Sequence, residues 1–337
     1  MQDGSYLVEI IEDSVAPSGV RLTTMKLCYP ARIHWDVLMH RAFSRSVMST
    51  RAVPWIRSSG KDKNQDKNQD KNRDKKTSEI GSEKPNQPKP RPGMRDWVLA
   101  NLYKPLHWGA NRAGMKPGEA VDDTTAQLAE ESWDRAFKAV LAEADALNEL
   151  GVHKSVVNTL LIPFMYLNVV ITSCEDGWAN FLNLRLHKDA APEIQKISKM
   201  AAIEYRKATP KPLQVGQWHL PFVTEAERSG SLFGPDLAPI SAARCARTSY
   251  ETMDGTDPVF DADLKLFDTL AGSDPKHANP LEHAAEAAAV DCVSGNFRGW
   301  VQYRKTLPGE AATIKTFGPE QIDERLALYG DRDFLIA

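Results

Sequence analysis

The chain has 337 residues with 42% hydrophobic and 26% charged side chains, a length that fits about two domains or one elaborate one. That composition excludes a wholly disordered chain. A formal charge of −3 and a pI near 6.3 argue against a general binder of nucleic acid or anionic membrane. The longest apolar run, over 160–172, contains Pro163 and Asn168 and is too short to span a bilayer. The opening MQDGSYLVEIIED is acidic where a secretory leader is basic, so the chain reads as soluble and cytoplasmic. Cys28, Cys174, Cys245 and Cys292 lie far apart without a CxxC pair, which indicates neither a zinc site nor a disulfide framework.

In chain order, Tyr6–Ile11 and Leu22–Cys28 read as strands, and Ile33–Phe43 as a helix starting after Pro30. Composition then shifts. Lys61–Lys76 runs KDKNQDKNQDKNRDKK without an apolar residue, and a proline-rich stretch follows, so Ser58–Gly93 reads as a disordered insert. Thr124–Leu150 carries Leu128, Trp133, Phe137, Val140, Leu141 and Leu147 at helical spacing and stops at Gly151, a C-cap residue. Further helices are expected at Val152–Leu161, Gly177–Leu184, Glu193–Lys207 and Asp261–Leu270. Ala284–Val293 fits either strand or helix. Strands and helices without βαβ alternation predict an α+β fold.

Five clusters carry polar chemistry. The first, Met39 to Arg51, gathers His40, Arg41, Arg45, Arg51 and the hydroxyls of Ser44, Ser46, Ser49 and Thr50. Arginine forks and short hydroxyls suit a phosphate, and a solvated basic face explains the same residues. The second is Asn180-Phe-Leu-Asn183-Leu-Arg185, whose amides share a helical face and could read a heterocycle edge or simply meet water. The third is Arg244-Cys-Ala-Arg247-Thr248-Ser249-Tyr250. The fourth, His277-Ala-Asn-Pro280-Leu-Glu282-His283, has too few ligands and no HExxH frame for a convincing metal site. The fifth, Arg298 to Lys305 with Trp300, Gln302, Tyr303 and Arg304, followed by Glu310, suits either stacking on a ring or core packing. No GxGxxG, Walker loop or GxSxG elbow is present.

Together these clusters resemble the flavin-dependent thymidylate synthase family. Met39-His40-Arg41, with Ser49 and Arg51 at the family spacing, resembles its R-H-R-x7-S element. NFLNLR at Asn180–Arg185, with Glu193-Ile194-Gln195 downstream, resembles its N-F-L-N-L-R…E-I-Q segment. Arg247-Thr-Ser249-Tyr250 and Pro280-Leu-Glu282-His283 resemble A-R-V-S-Y and P-F-E-H. The order is permuted, because the S-Y and E-H elements follow NFLNLR here. A second R-H-R-like copy, Gln302-Tyr303-Arg304, lies near Glu310. Met39 replaces an arginine of the first copy. The permuted long form is similar to phage-type members and to the UMP methylases of polyoxin-type nucleoside antibiotic pathways. It implies one lobe from residues 1–57 and 94–225 with the M-H-R and NFLNLR elements, and another from 236–337 with the rest.

The resemblance implies a mixed sheet flanked by helices and C5 methylation of UMP or dUMP. FAD, NADPH and 5,10-methylenetetrahydrofolate would serve as cofactors and carbon donor, in a homotetramer with sites between subunits. Carried onto this sequence, Arg185 is the catalytic residue and stabilises charge on the pyrimidine. Ser49, Thr50, Arg51, Arg185, Gln302 and Glu310 bind the nucleotide. His40, Arg41, Asn180, Asn183, Ser249, His283 and Arg304 hold the flavin. C5 hydroxymethylation, a flavin- or nucleotide-binding protein without catalysis, and a nucleic-acid scaffold using the Lys/Asn insert are the competing readings.

Overall fold

In the computed structural model, residues 1–56, 93–114, 117–230, 234–248, 260–273 and 276–310 are described. The expected insert at Ser58–Gly93 lies outside them except for Gly93, as do Ser249 and Tyr250. Among the described residues no helix is long and apolar enough to cross a membrane.

The two N-terminal apolar runs form long strands. β1 (Gln2–Asp3) and β2 (Tyr6–Val15) lead through a tight turn at Gly19, φ +85°, into β3 (Arg21–Pro30). β3 is almost wholly buried because it is central, with β2 on one side and β5 (Tyr166–Cys174) on the other, both antiparallel. β4 (Ser44–Val47) pairs with the outer side of β5. β6 (Lys211–Pro212) joins β2 in parallel, giving a six-stranded sheet.

Between β3 and β4 the chain makes a 3-10 turn (Ala31–Ile33) and a short helix α1 (His34–Leu38), so the helix expected over Ile33–Phe43 ends early. Arg45 caps that early end: its Nη1 donates to the carbonyls of Val37, Leu38 and His40 at 3.1–3.2 Å, satisfying acceptors that a longer helix would use.

Among the described residues, five α-helices lie between β4 and β6. α2 (Met94–Ala100) precedes the 27-residue α3 (Asp123–Glu149), which is capped by the Asp122 carboxylate and ends before Gly151, φ +78°. α4 (Lys154–Val157) gives way to a 3-10 stretch over Asn158–Phe164 where the sequence predicts a single helix. Pro163 in that stretch has no N–H to continue an α ladder. α5 (Glu175–Arg185) and α6 (Pro192–Lys207) match their periodicity. Trp178, Phe181, Ile194, Ile197 and Met200 pack on Met25, Leu27, Val169 and Ile171, forming the main core on one face of the sheet.

The other face carries the C-terminal elements. β7 (Trp218–His219) precedes α7 (Glu225–Arg228), α8 (Gly234–Ala246) and α9 (Phe260–Gly272). The ambiguous alanine-rich segment resolves into β8 (Ala285–Ala287), followed by the hairpin β9 (Val293–Ser294) and β10 (Phe297–Arg298), then β11 (Trp300–Gln302). Strands β11, β8 and β7 form a three-stranded sheet. Leu22 and Cys174 pack on Ala285, Phe297 and Trp300, but much of this face is hydroxylated, with Ser14, Thr24, Thr172, Ser44 and Ser46 all buried.

An ion cluster joins the C-terminal helices. Asp263, with 0% exposure, accepts from Arg244 Nε at 2.8 Å and from Arg247 Nε at 2.8 Å. Arg244 also grips Glu227 at 2.6 Å, which holds that carboxyl well down, at about 2. Removing one partner strands buried cations, a loss worth about 3–5 kcal/mol. Asp263→Ala is therefore expected to cost about that much in urea unfolding, with the largest loss of amide protection in α8 and α9.

Candidate functional site

The M-H-R and NFLNLR segments meet although 145 positions separate His40 from Arg185. α5 runs into the turn after α1, and Gly177 in its first turns makes the approach possible. A Cβ there would overlap Ser173 Oγ and stand 3.0 Å from Ala42 Cβ. Phe181 lies edge-on to the His40 ring, with centroids 5.0 Å apart, and Phe43 packs beside both.

At the end of α5, Arg185 is fixed by three hydrogen bonds. Nε donates to His40 Nε2 at 3.0 Å, Nη1 to Asp36 Oδ1 at 3.0 Å and Nη2 to the Asp36 carbonyl at 3.0 Å. A guanidinium has five N–H groups, so two remain beyond these bonds. The side chain keeps 19% exposure, so it is neither sealed in nor loose in solvent. Because arginine only donates, His40 Nε2 must accept, which puts the neutral ring's proton on Nδ1. That atom lies 3.5 Å from Asn180 Nδ2, so this tautomer requires the Asn180 carboxamide turned over, with Oδ1 accepting from Nδ1–H. Burial first, then the Arg185 and Arg45 cations, push His40 down to about 4, with Asp36 pulling the other way.

The other expected residues fall into distinct places. Arg41, Asn180 and Asn183 are exposed beside this pair, the two asparagines one turn apart on α5. Ser49, Thr50 and Arg51 form a turn after β4. The Arg51 amide donates to Ser49 Oγ at 3.1 Å. Asn158 donates to the Thr50 carbonyl at 2.7 Å, tying this loop to the turn that follows α4. Arg304 bridges two carboxylates, with Nε donating to Glu310 at 2.7 Å and Nη1 to Glu282 at 2.5 Å. Ser249 lies outside the described residues.

His283 and Gln302 are buried, with polar atoms spent inside the fold. His283 bonds Ser46 Oγ and Thr172 Oγ1 at 3.0 and 2.8 Å. Gln302 Nε2 donates to Asn296 Oδ1 at 2.7 Å and to Ser44 Oγ at 3.4 Å. Successive strand residues face opposite ways, so β4 separates the two R-H-R-like copies. Arg45 reaches the first segment on one side, and on the other Ser44 meets Gln302 of the second while Ser46 meets His283.

Asp36, Asn158 and Asn296 support the site although they belong to none of its motifs. Asp36 stands four residues before His40, a helical spacing that could have marked it. The two asparagines act across long sequence separations and leave no local sign. Beyond the loop after Arg185, an open cleft of about 570 Å³ is lined by Arg32, His107, Trp108, Asp189 and Glu193 among others.

No protein-family profile matches the chain, and no curated protein matches its sequence. Among solved structures it is similar to the UMP/dUMP methylase PolB from Streptomyces cacaoi bound with 5-Br UMP. Identity there is 14%, coverage 61% of this chain and 90% of that one, and the TM-score 0.43. For the same protein bound with 5-Br dUMP the values are 18%, 56%, 67% and 0.37.

The electrostatics of the pair can be checked directly. Arg185→Gln removes a cation and is expected to raise the His40 pKa above about 4, still short of an ordinary histidine because burial persists. Asp36→Asn removes an anion and is expected to lower it further. Imidazole NMR titration reads both shifts, and equal or reversed shifts contradict the arrangement.

Proposed function

We propose that the chain is a flavin-dependent enzyme that methylates C5 of a uridine monophosphate, UMP or dUMP. The observation that carries this reading is the convergence of His40, Asn180 and Arg185 from two distant segments that resemble one family's motifs. The exposed donor set fits a flavin nucleotide. The Asn180 and Asn183 carboxamides offer both donors and acceptors to a heterocycle edge, and the Arg41 guanidinium offers a cation to a diphosphate. When bound, FAD reduced by NADPH supplies the hydride that completes a methyl group derived from methylenetetrahydrofolate.

Each residue then has a defined task. Arg185 directs its two remaining N–H groups at the pyrimidine oxygens, where negative charge must gather before C5 can accept carbon. A donor already fixed by Asp36 and His40 needs no reorganisation as that charge appears. His40 stays neutral near pH 7 and orients the guanidinium without adding a second cation. Ser49, Thr50 and Arg51 take the nucleotide phosphate, and Glu310, steadied by Arg304, takes a sugar hydroxyl. Gln302 and His283 hold β4 in place in this reading, since the Gln302 amide nitrogen and both His283 ring nitrogens are already occupied. The working site is completed between copies in a homotetramer.

The test is a turnover assay with FAD, NADPH and methylenetetrahydrofolate, offering UMP and dUMP in parallel and identifying products by mass. C5-methylated nucleotide is expected. A hydroxymethylated product would redirect the assignment, and no product with either nucleotide would end it. Arg185→Lys keeps a charge but loses the planar fork, and is expected to lower kcat by about 10²-fold or more with the flavin spectrum retained.

A further inference from the structure

The hydroxylated face of the sheet holds a continuous file of hydrogen bonds. Ser14 Oγ lies 3.1 Å from His219 Nδ1, and His219 Nε2 lies 2.8 Å from Thr24 Oγ1. Thr24 Oγ1 is 2.6 Å from Thr172 Oγ1, which is 2.8 Å from His283 Nδ1. His283 Nε2 closes the file on Ser46 Oγ at 3.0 Å. At the other end, Ser14 Oγ donates to Glu12 Oε1 at 3.4 Å. All six residues from Ser14 to Ser46 are buried.

Proton counting makes the file directional. Burial holds His283 down to about 3 and His219 well below its ordinary range, so both rings are neutral. Each of the six groups then has one proton to donate. Five bonds within the file and one to Glu12 use all six, provided every group donates toward Glu12. An ionised Glu12 can only accept. Ser14 must therefore donate to it, His219 Nδ1–H to Ser14, Thr24 to His219 Nε2, and so on back to Ser46. Both rings carry their proton on Nδ1.

A protonated Glu12 reverses the order. Its Oε2 faces Arg228 Nη2 at 2.6 Å, a donor, so the added proton belongs on Oε1 facing Ser14. Ser14 then donates to His219 Nδ1, and each later group donates away from Glu12, leaving both rings protonated on Nε2. The two arrangements differ by one solvent proton, held on Glu12. Every other group keeps one proton, with hydroxyls turned and each ring proton moved from Nδ1 to Nε2.

We propose that this file is a proton-linked switch, in which the ionisation of Glu12 sets the tautomer of both buried histidines and the direction of the Ser46 hydroxyl. Ser46 adjoins Arg45, whose guanidinium holds the carbonyls around His40, so a carboxyl on β2 is read at the strand that braces the candidate site. The proposal stands independently of the methylation reading. Glu12 is faced by Arg228 and Glu225 of α7, by Lys211 of β6 and by Ser14 of its own strand. Burial outweighs the cations and pushes the carboxyl up to about 7, which places the switch near neutral pH.

The experiment is a ¹H–¹⁵N correlation titration of the full chain labelled at histidine. Above about pH 8 both rings are expected as Nδ1–H and below about pH 6 both as Nε2–H, with one shared midpoint. Glu12→Gln abolishes the transition. Thr172→Val cuts the file in the middle, so His219 still follows Glu12 while His283 no longer does. Opposite tautomers at a given pH, separate midpoints, or imidazolium forming near the ordinary histidine pKa would each overturn the switch in the unmutated protein.

Discussion

A guanidinium with three of its N–H groups already committed is the constraint on which the candidate site rests. Arg185 is a long side chain that would lose about 2 kcal/mol of rotamer freedom on meeting a ligand. Asp36 and His40 absorb that cost during folding. The remaining donors are then held in one plane and one direction, which a flexible cation on the surface cannot match. The carboxylate also settles the charge of the pair, because the neutral imidazole adds none.

The sheet gives this arrangement its rigidity by treating its two faces differently. One face is covered by α3, α5 and α6 through ordinary apolar packing, and it carries the helix that ends in Arg185. The other meets the C-terminal strands across hydroxyls and imidazoles, where hydrogen-bond direction matters as well as shape. β4 stands between the two environments. Its arginine holds the carbonyls around His40, its Ser44 meets Gln302 and its Ser46 meets His283, so a four-residue strand joins the three places mechanically.

Much of this was legible in the residues. The helices with a sustained 3.6-residue period, α3, α5, α6 and α9, lie within two residues of their expected bounds, because each buries one stripe against the core. The shorter helices depart from their local pattern where a tertiary contact or a proline intervenes. Arg45 caps the end of α1 from the following strand, and a 3-10 turn replaces the helix around Pro163. At the site, motif spacing brought out His40, Asn180 and Arg185, which meet. It could not distinguish them from His283 and Gln302, equally polar in sequence, because burial depends on which strand lies opposite. Nor could it reveal Asn296, whose amide works on residues some 250 positions away.

Gly177 shows how far the geometry depends on an absent atom. Eight residues of α5 separate it from Arg185, about 12 Å along the helix axis. A methyl group at that position would wedge the helix off the loop bearing Ala42. The displacement would be delivered at the opposite tip, where a hydrogen bond tolerates only a few tenths of an ångström. The smallest side chain in the protein thus sets the reach of one of its longest, and damage to the one would be felt as a loss of aim in the other.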